Sequence, residues 1–160
     1  MEAVKRKANR LKNYDYSRPG AYFVTICTQD KRCILCEIVG DGSPVPKDPG
    51  LIAEAAIRRI HEKYPAVHTD RFVVMPNHIH LLLSFDGGTG DPSPTLGDVI
   101  AWFKYTATKE INREAGVSGQ RVFQRSFHDH IIRSEADYQK IWEYIEDNPR
   151  RWAEDCYYEA

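Results

Sequence analysis

Residues 71–85 read RFVVMPNHIHLLLSF. Two apolar runs flank Pro76-Asn77, and a proline cannot donate to the hydrogen-bond ladder of a central strand. The stretch therefore predicts two strands, 71–75 and 78–85, joined by a tight turn. In the second, period-two alternation sends Ile79, Leu81 and Leu83 to one face. His78, His80, Leu82 and Ser84 take the other, so two histidines sit side by side against an apolar run.

Upstream, AYFVTICT (21–28) is rich in β-branched and aromatic residues and predicts a strand. CILCEIV (33–39) predicts another, and the short polar link 29–32 suggests a hairpin between them. DGSPVPKDPG (41–50) reads as a loop broken by its glycines and prolines. Asp48 and Pro49 then look like the cap and first position of a helix from about Gly50 to Tyr64. Leu51, Ala55 and Ile60 are among its inward residues, and Pro65 stops it. Downstream, DGGTGDPSP (86–94) is a loop and Thr95 caps a helix to about Ala115. Asp98, three residues on, completes a variant of the capping box. Leu96, Ile100, Phe103, Ala107 and Ile111 recur at helical spacing as its buried stripe. VFQRSFHDHIIRS (122–134) alternates as a strand, and Ser134 to about Arg150 predicts a last helix with Tyr138, Ile141, Trp142 and Ile145 as its apolar face. The order of elements points to an α+β fold: a ferredoxin-like antiparallel sheet with helices packed on one face.

At 160 residues the chain suits one domain, 19–160, behind a basic N-terminal arm, 1–18. That arm holds Lys5, Arg6, Lys7, Arg10, Lys12 and Arg18 against only Glu2 and Asp15, whereas the far end is acidic, with Glu143, Glu146, Asp147, Glu154, Asp155 and Glu159. The net charge of −1 speaks against a uniformly basic nucleic-acid binder, though not against a local patch. No apolar run is long enough to span a bilayer, and the N-terminus lacks an apolar signal core, so the expectation is a cytoplasmic protein with no membrane partner. Cys33 and Cys36 form a C-x-x-C, but three residues apart on a strand they point to opposite faces. Four buried free thiols are the better reading.

On a strand, His78 and His80 project to the same side about 7 Å apart at Cα, close enough for both rings to reach one ion. The plain alternative is two polar residues on a half-solvated face. In IWEYIEDNPR, Tyr144 and Asn148 are four apart and share one face of the last helix, away from the Ile141–Ile145 stripe. An amide oxygen is a hard ligand of the kind Mg²⁺ or Mn²⁺ prefers. The competing reading of Asn148 is a helix-terminal cap before Pro149. His128 and His130 make a rival H-x-H, ranked second because no helix tyrosine and amide are tied to them.

Taken together, YDYSRPGAYFVTICT, FVVMPNHIHLLL, LGDVIAWFK, SFHDHIIR and YIEDNPRRW span Tyr14 to Trp152. The set resembles the HuH single-tyrosine transposases, and more closely their REP-associated tyrosine transposase branch. The resemblance implies that His78 and His80 are metal ligands and Tyr144 the nucleophile. Asn148 stands where the wider superfamily has a glutamine or similar ligand, an amide one methylene shorter. It further implies Mg²⁺ or Mn²⁺ as cofactor and cleavage and rejoining of single-stranded DNA at REP-like palindromic hairpins through a 5′-phosphotyrosine. The protein would act as a monomer or homodimer. Lys5, Arg6, Arg10, Tyr14, Lys104, Arg125, His128 and Arg133 are the candidate DNA contacts, through phosphate pairing or base stacking. A domesticated hairpin-binding module without turnover is the alternative. A zinc hydrolase built on the same histidines lacks an obvious carboxylate ligand nearby.

Overall fold

The computed structural model describes residues 20–86 and 94–158. Strand β1 (Gly20–Cys27) leads through a 3₁₀ turn to β2 (Cys36–Ile38) and β3 (Pro44–Pro46). Helices α1 (Asp48–Arg58) and α2 (Ile60–Lys63) follow, then β4 (Val67–Val74), β5 (His78–Phe85), α3 (Leu96–Glu114), β6 (His128–Ile132) and α4 (Glu135–Asp147). A 3₁₀ segment, Pro149–Glu154, closes the described chain. The main sheet has the order β4-β5-β1-β6, every pair antiparallel, which is the ferredoxin-like arrangement. No helix among the described residues is long and apolar enough to cross a membrane.

The hairpin expected between the first two strands does not form. β1 pairs with β5 and β6 instead, while β2 pairs with β3 in a separate two-stranded ribbon. The supposed loop 41–50 supplies β3, whose Pro44 and Pro46 are tolerated because the ribbon has only edges. Of the cysteines, Cys27 and Cys36 are buried, Cys33 is half-buried outside any strand, and Cys156 is exposed, so the expectation of four buried thiols holds for two.

Tyr22, Val24 and Ile26 of β1 and Ile79, Leu81 and Leu83 of β5 face α1 and α3. The stripe on α3 is as expected, and Thr95 and Asp98 form a reciprocal capping box. On α1 the expected register is wrong: Lys47, not Asp48, is the N-cap, and Leu51 and Ala55 are exposed. The buried face is Gly50, Ala53, Ala56 and Ile57, in which three of the four residues are small and hydrophobicity alone does not pick them out. Gly50 is required there, because a Cβ would collide with the Leu35 carbonyl.

α4 lies across the other face of the sheet, held by a bulge in β4. The register of β4 against β5 shifts between Thr69 and Arg71, leaving Asp70 unpaired in the ladder. Its carboxylate accepts from Ser84 Oγ at 2.9 Å and from the Tyr138 hydroxyl of α4 at 2.7 Å. Next to it, the Arg71 guanidinium lies 5.0 Å from the Trp142 ring centroid and 3.5 Å from Glu146. Three consecutive turns of α4 are thus tied to one irregularity, which sets where Tyr144 stands.

Candidate metal and nucleophile site

β5 is an inner strand, flanked by β4 and β1, and the turn before it is fixed on two sides. Thr28 donates to the Asn77 carbonyl through its backbone N–H at 3.0 Å, and Leu35 donates to the Pro76 carbonyl at 3.1 Å. His78 and His80 emerge from this rigid frame on the face opposite α1 and α3. The plain alternative, two polar residues on a half-solvated face, does not hold, because their exposures are 0% and 1%. α4 and the segment after it cover that face, an arrangement invisible in the strand's own pattern.

Each ring uses Nδ1 on a protein partner. His78 Nδ1 donates to Asn77 Oδ1 at 2.9 Å, and His80 Nδ1 lies 2.9 Å from Thr25 Oγ1. The ring centroids are 4.6 Å apart. Both Nε2 atoms are buried and have no hydrogen-bond partner among the described residues. Burial pushes the His78 imidazole down to about 4, against an opposing pull from Asp155, and the His80 ring is held well below its usual range by burial and by His78. Both rings are therefore neutral near pH 7, the form that ligates metals.

Ser134 caps α4, its hydroxyl accepting from the Asp137 N–H at 3.1 Å. Tyr144, three turns on, stays 44% exposed while its ring packs edge-on against His80 at 5.4 Å and Phe23 at 5.9 Å. Asn148 is both the C-cap of α4 and the N-cap of the 3₁₀ segment, so the capping reading and the site reading describe one residue. Its side chain is buried, its Oδ1 is unpartnered among the described residues, and its amide adjoins both His78 and the Tyr144 hydroxyl. Burial raises the Tyr144 phenol above its ordinary range, Asn148 opposes that shift, and Asp155 adds to it.

Asp155 was missing from the sequence reading, which saw no carboxylate near the histidines. Its Oδ2 lies 3.6 Å from His78 Nε2 with the side chain 2% exposed. Among the described residues, His78, His80 and Asp155 are the one group of three or more His, Cys, Asp or Glu side chains whose ligand atoms all fall within 4.8 Å of one another. The signal was weak: Asp155 follows the last helix, in a stretch with no periodicity, among many acidic neighbours. Tyr157 also escaped notice, and its ring centroid lies 4.5 Å from that of His78. An ion fits the site on the chemistry of its donors. Two imidazole nitrogens, an amide oxygen and a carboxylate oxygen are buried together, each without a hydrogen bond among the described residues.

The remaining candidates fall elsewhere. Lys104 was expected at phosphate, but its ammonium donates to the carbonyls of Gln124, Arg125 and Ser126 at 2.7, 3.1 and 2.9 Å, anchoring the approach to β6. Arg125, His128 and Arg133 are exposed, with His128 opening β6, an edge strand of the sheet, and the two arginines flanking it. Thr25 is the cross-strand partner of both His80 and His128, so these three form a row on the face that bears the site. In the rival H-x-H, His130 Nε2 lies 2.7 Å from Asp137 Oδ2 on the exposed surface. Lys5, Arg6, Arg10 and Tyr14 lie outside the described residues.

Known proteins resemble this chain in sequence and in fold. Residues 51–148 match the family model described as IS200-like transposase. An uncharacterised protein of Haemophilus influenzae is 32% identical over 170 residues, covering 96% of this chain and 93% of its own length. A second protein of that organism, whose name assigns it to the REP-associated tyrosine transposases, is 25% identical over 150 residues, covering 87% of this chain and 76% of its own. A solved REP-associated tyrosine transposase bound to a REP hairpin superposes with a TM-score of 0.63 at 20% identity, covering 88% of this chain and 72% of that one. By the match of the family model over more than half of the chain, this protein belongs to the IS200-like transposases.

Proposed function

We propose that this transposase cleaves and rejoins single-stranded DNA at palindromic hairpins, with Tyr144 as nucleophile. The observation that carries the reading is the placement of Tyr144: a half-exposed phenol against His80, beside the buried amide of Asn148. A tyrosine kept only for packing has no need of four orphaned ligand atoms behind it.

His78, His80 and Asn148 would hold a divalent ion, Mg²⁺ or Mn²⁺, which when bound neutralises charge on the scissile phosphate. The chain's own residues do the rest. The Tyr144 oxygen attacks phosphorus, its proton leaves to solvent, and the P–O3′ bond breaks. The departing 3′-oxygen takes up a proton, and the 5′ side stays on the tyrosine as a phosphodiester. Attack by a 3′-hydroxyl on that linkage reverses the step and joins strands. Asn148 favours the phenolate through its amide, offsetting part of the burial that opposes ionisation.

Beside Tyr144 and Asn148 lies a surface cavity of about 850 Å³, lined by Lys140, Arg150 and Arg151 but also by Glu143, Glu146, Asp147 and Glu154, with both arginines paired to these acids, so the grip on phosphate is assigned elsewhere. Arg125, His128 and Arg133, on and beside β6, with Lys5, Arg6, Arg10 and Tyr14 of the arm, are proposed to hold the hairpin. The REP hairpin bound by the related transposase makes such a palindrome the first substrate to try.

The test is incubation of the full chain with a labelled REP-like hairpin and Mn²⁺, followed by a denaturing gel. A covalent adduct abolished by Tyr144→Phe and by His78→Ala supports the reading. Binding with no adduct across several hairpins and both metals would favour a hairpin-binding module, and cleavage that survives Tyr144→Phe would overturn the tyrosine mechanism.

A further inference from the structure

We infer that Asp155 is a ligand of the metal ion, so that the ion takes its fourth protein donor from the C-terminal segment and fastens that segment to the sheet. The inference rests on the metal-site reading above and extends it to a residue outside the strand and helix that carry the motif.

The Asp155 side chain is 2% exposed, and its Oδ1 accepts the Tyr157 backbone N–H at 2.8 Å. That bond fixes the carboxylate and leaves Oδ2 aimed at the histidines, with no hydrogen-bond partner among the described residues. The 3.6 Å to His78 Nε2 is too long for a hydrogen bond. It is a natural separation for two donors sharing an ion, since ligand bonds of about 2.1 Å place donors roughly 3 to 4 Å apart.

Charge points the same way. A buried carboxylate without compensation costs several kcal/mol, and a divalent cation supplies the compensation. Two imidazoles and an amide form a neutral, nitrogen-rich set that suits a hard cation poorly. Asp155 adds a second oxygen and a negative charge, giving the mixed donor set that Mn²⁺ accepts. The segment is already seated, since Asn77 Nδ2 donates to the Tyr157 carbonyl at 2.7 Å and the Trp152 and Tyr157 rings lie 6.1 and 4.5 Å from the His78 ring. An ion bridging Asp155 to β5 would lock it there before any DNA arrives.

The experiment is titration of the full chain with Mn²⁺ alone, without DNA, by calorimetry and electron paramagnetic resonance. The wild type is expected to bind one Mn²⁺ and Asp155→Asn to bind at least tenfold more weakly. Mn²⁺ is expected to slow tryptic cleavage at the exposed Arg150 and Arg151 in the wild type and not in Asp155→Asn. Without metal, Asp155→Asn should melt no lower than the wild type, because it removes an uncompensated charge. A merely structural aspartate would give the reverse: a lower melting temperature with Mn²⁺ affinity intact. If His78→Ala loses Mn²⁺ while Asp155→Asn binds it as the wild type does, this inference fails and the metal site stands. If His78→Ala binds Mn²⁺ normally, the metal-site reading fails and takes this one with it.

Discussion

Removing one oxygen from α4, by Tyr138→Phe, tests whether the bulge in β4 positions the nucleophile. The Tyr138 hydroxyl donates to the Asp70 carboxylate at 2.7 Å, a charge-assisted bond in a partly buried setting. Burial and that carboxylate push the Tyr138 phenol up to about 12, so the donor keeps its proton across the working range. Bonds to charged groups contribute about 1.5–3 kcal/mol, and partial exposure places this one near the lower end, about 1.5–2 kcal/mol. For a chain of this size that corresponds to a fall in melting temperature of roughly 3–8 °C. The assay is urea and thermal denaturation by circular dichroism, in a double-mutant cycle with Asp70→Ala. The ring of Tyr138 stays on Trp142 in the variant, so a loss of stability reports the bond rather than the packing. Coupling of at least about 1 kcal/mol is expected, with a slower adduct-forming reaction because Tyr144 lies less than two turns further along the same helix. A loss under about 0.5 kcal/mol, or strict additivity with Asp70→Ala, would refute the role given to the bulge.

Thr25→Val leaves His80 Nδ1 buried without its partner and is expected to weaken Mn²⁺ binding about ten- to hundredfold, while Thr25→Ser restores it; unchanged affinity on calorimetry would count against Thr25 as the orienting group. Cys36 supplies a pH dependence away from the metal site. Burial pushes its thiol from 9.0 up to about 12, so the neutral thiol's contribution to stability is intact below pH 9 and is lost as pH rises from 9 toward 12. Urea midpoints measured from pH 8 to 10.5 should fall, and fall less for Cys36→Ala; equal slopes would contradict the assignment.

Local pattern was legible where one element explains its own residues. The alternation in HIHLLL, the stop at Pro76-Asn77 and the Thr95–Asp98 box depend on neighbours within one turn or strand, and the structure has all three. Pairing was not legible, because β1 finds its partners more than fifty residues away in β5 and about a hundred away in β6. Nothing in AYFVTICT distinguishes those partners from the adjacent CILCEIV. The stripe on α1 was misread because it is made mostly of glycine and alanines chosen for closeness, while the larger Leu51 faces solvent. In the site, His78, His80, Tyr144 and Asn148 could be named from motif and helical spacing. The burial of the two histidines could not, since it depends on a cover supplied by a separate, aperiodic segment. Asp155 lies in that segment, and only the folded chain brings it to the histidines.

One consequence of the turn before β5 concerns protons rather than metals. The Asn77 amide is bonded at both ends: Nδ2 donates to the Tyr157 carbonyl, and Oδ1 faces His78 Nδ1. Because a carbonyl only accepts, the amide cannot flip without setting two acceptors against each other. Oδ1 must therefore accept from His78, the hydrogen must sit on Nδ1, and Nε2 must carry the lone pair. A main-chain carbonyl eighty residues along the sequence thus selects the tautomer of the first histidine. His80 is under no such rule, since the Thr25 hydroxyl that meets its Nδ1 can donate or accept. The two histidines of H-x-H are alike in sequence and unequal in the fold: one tautomer is locked, and the other can exchange with the rotation of a single hydroxyl.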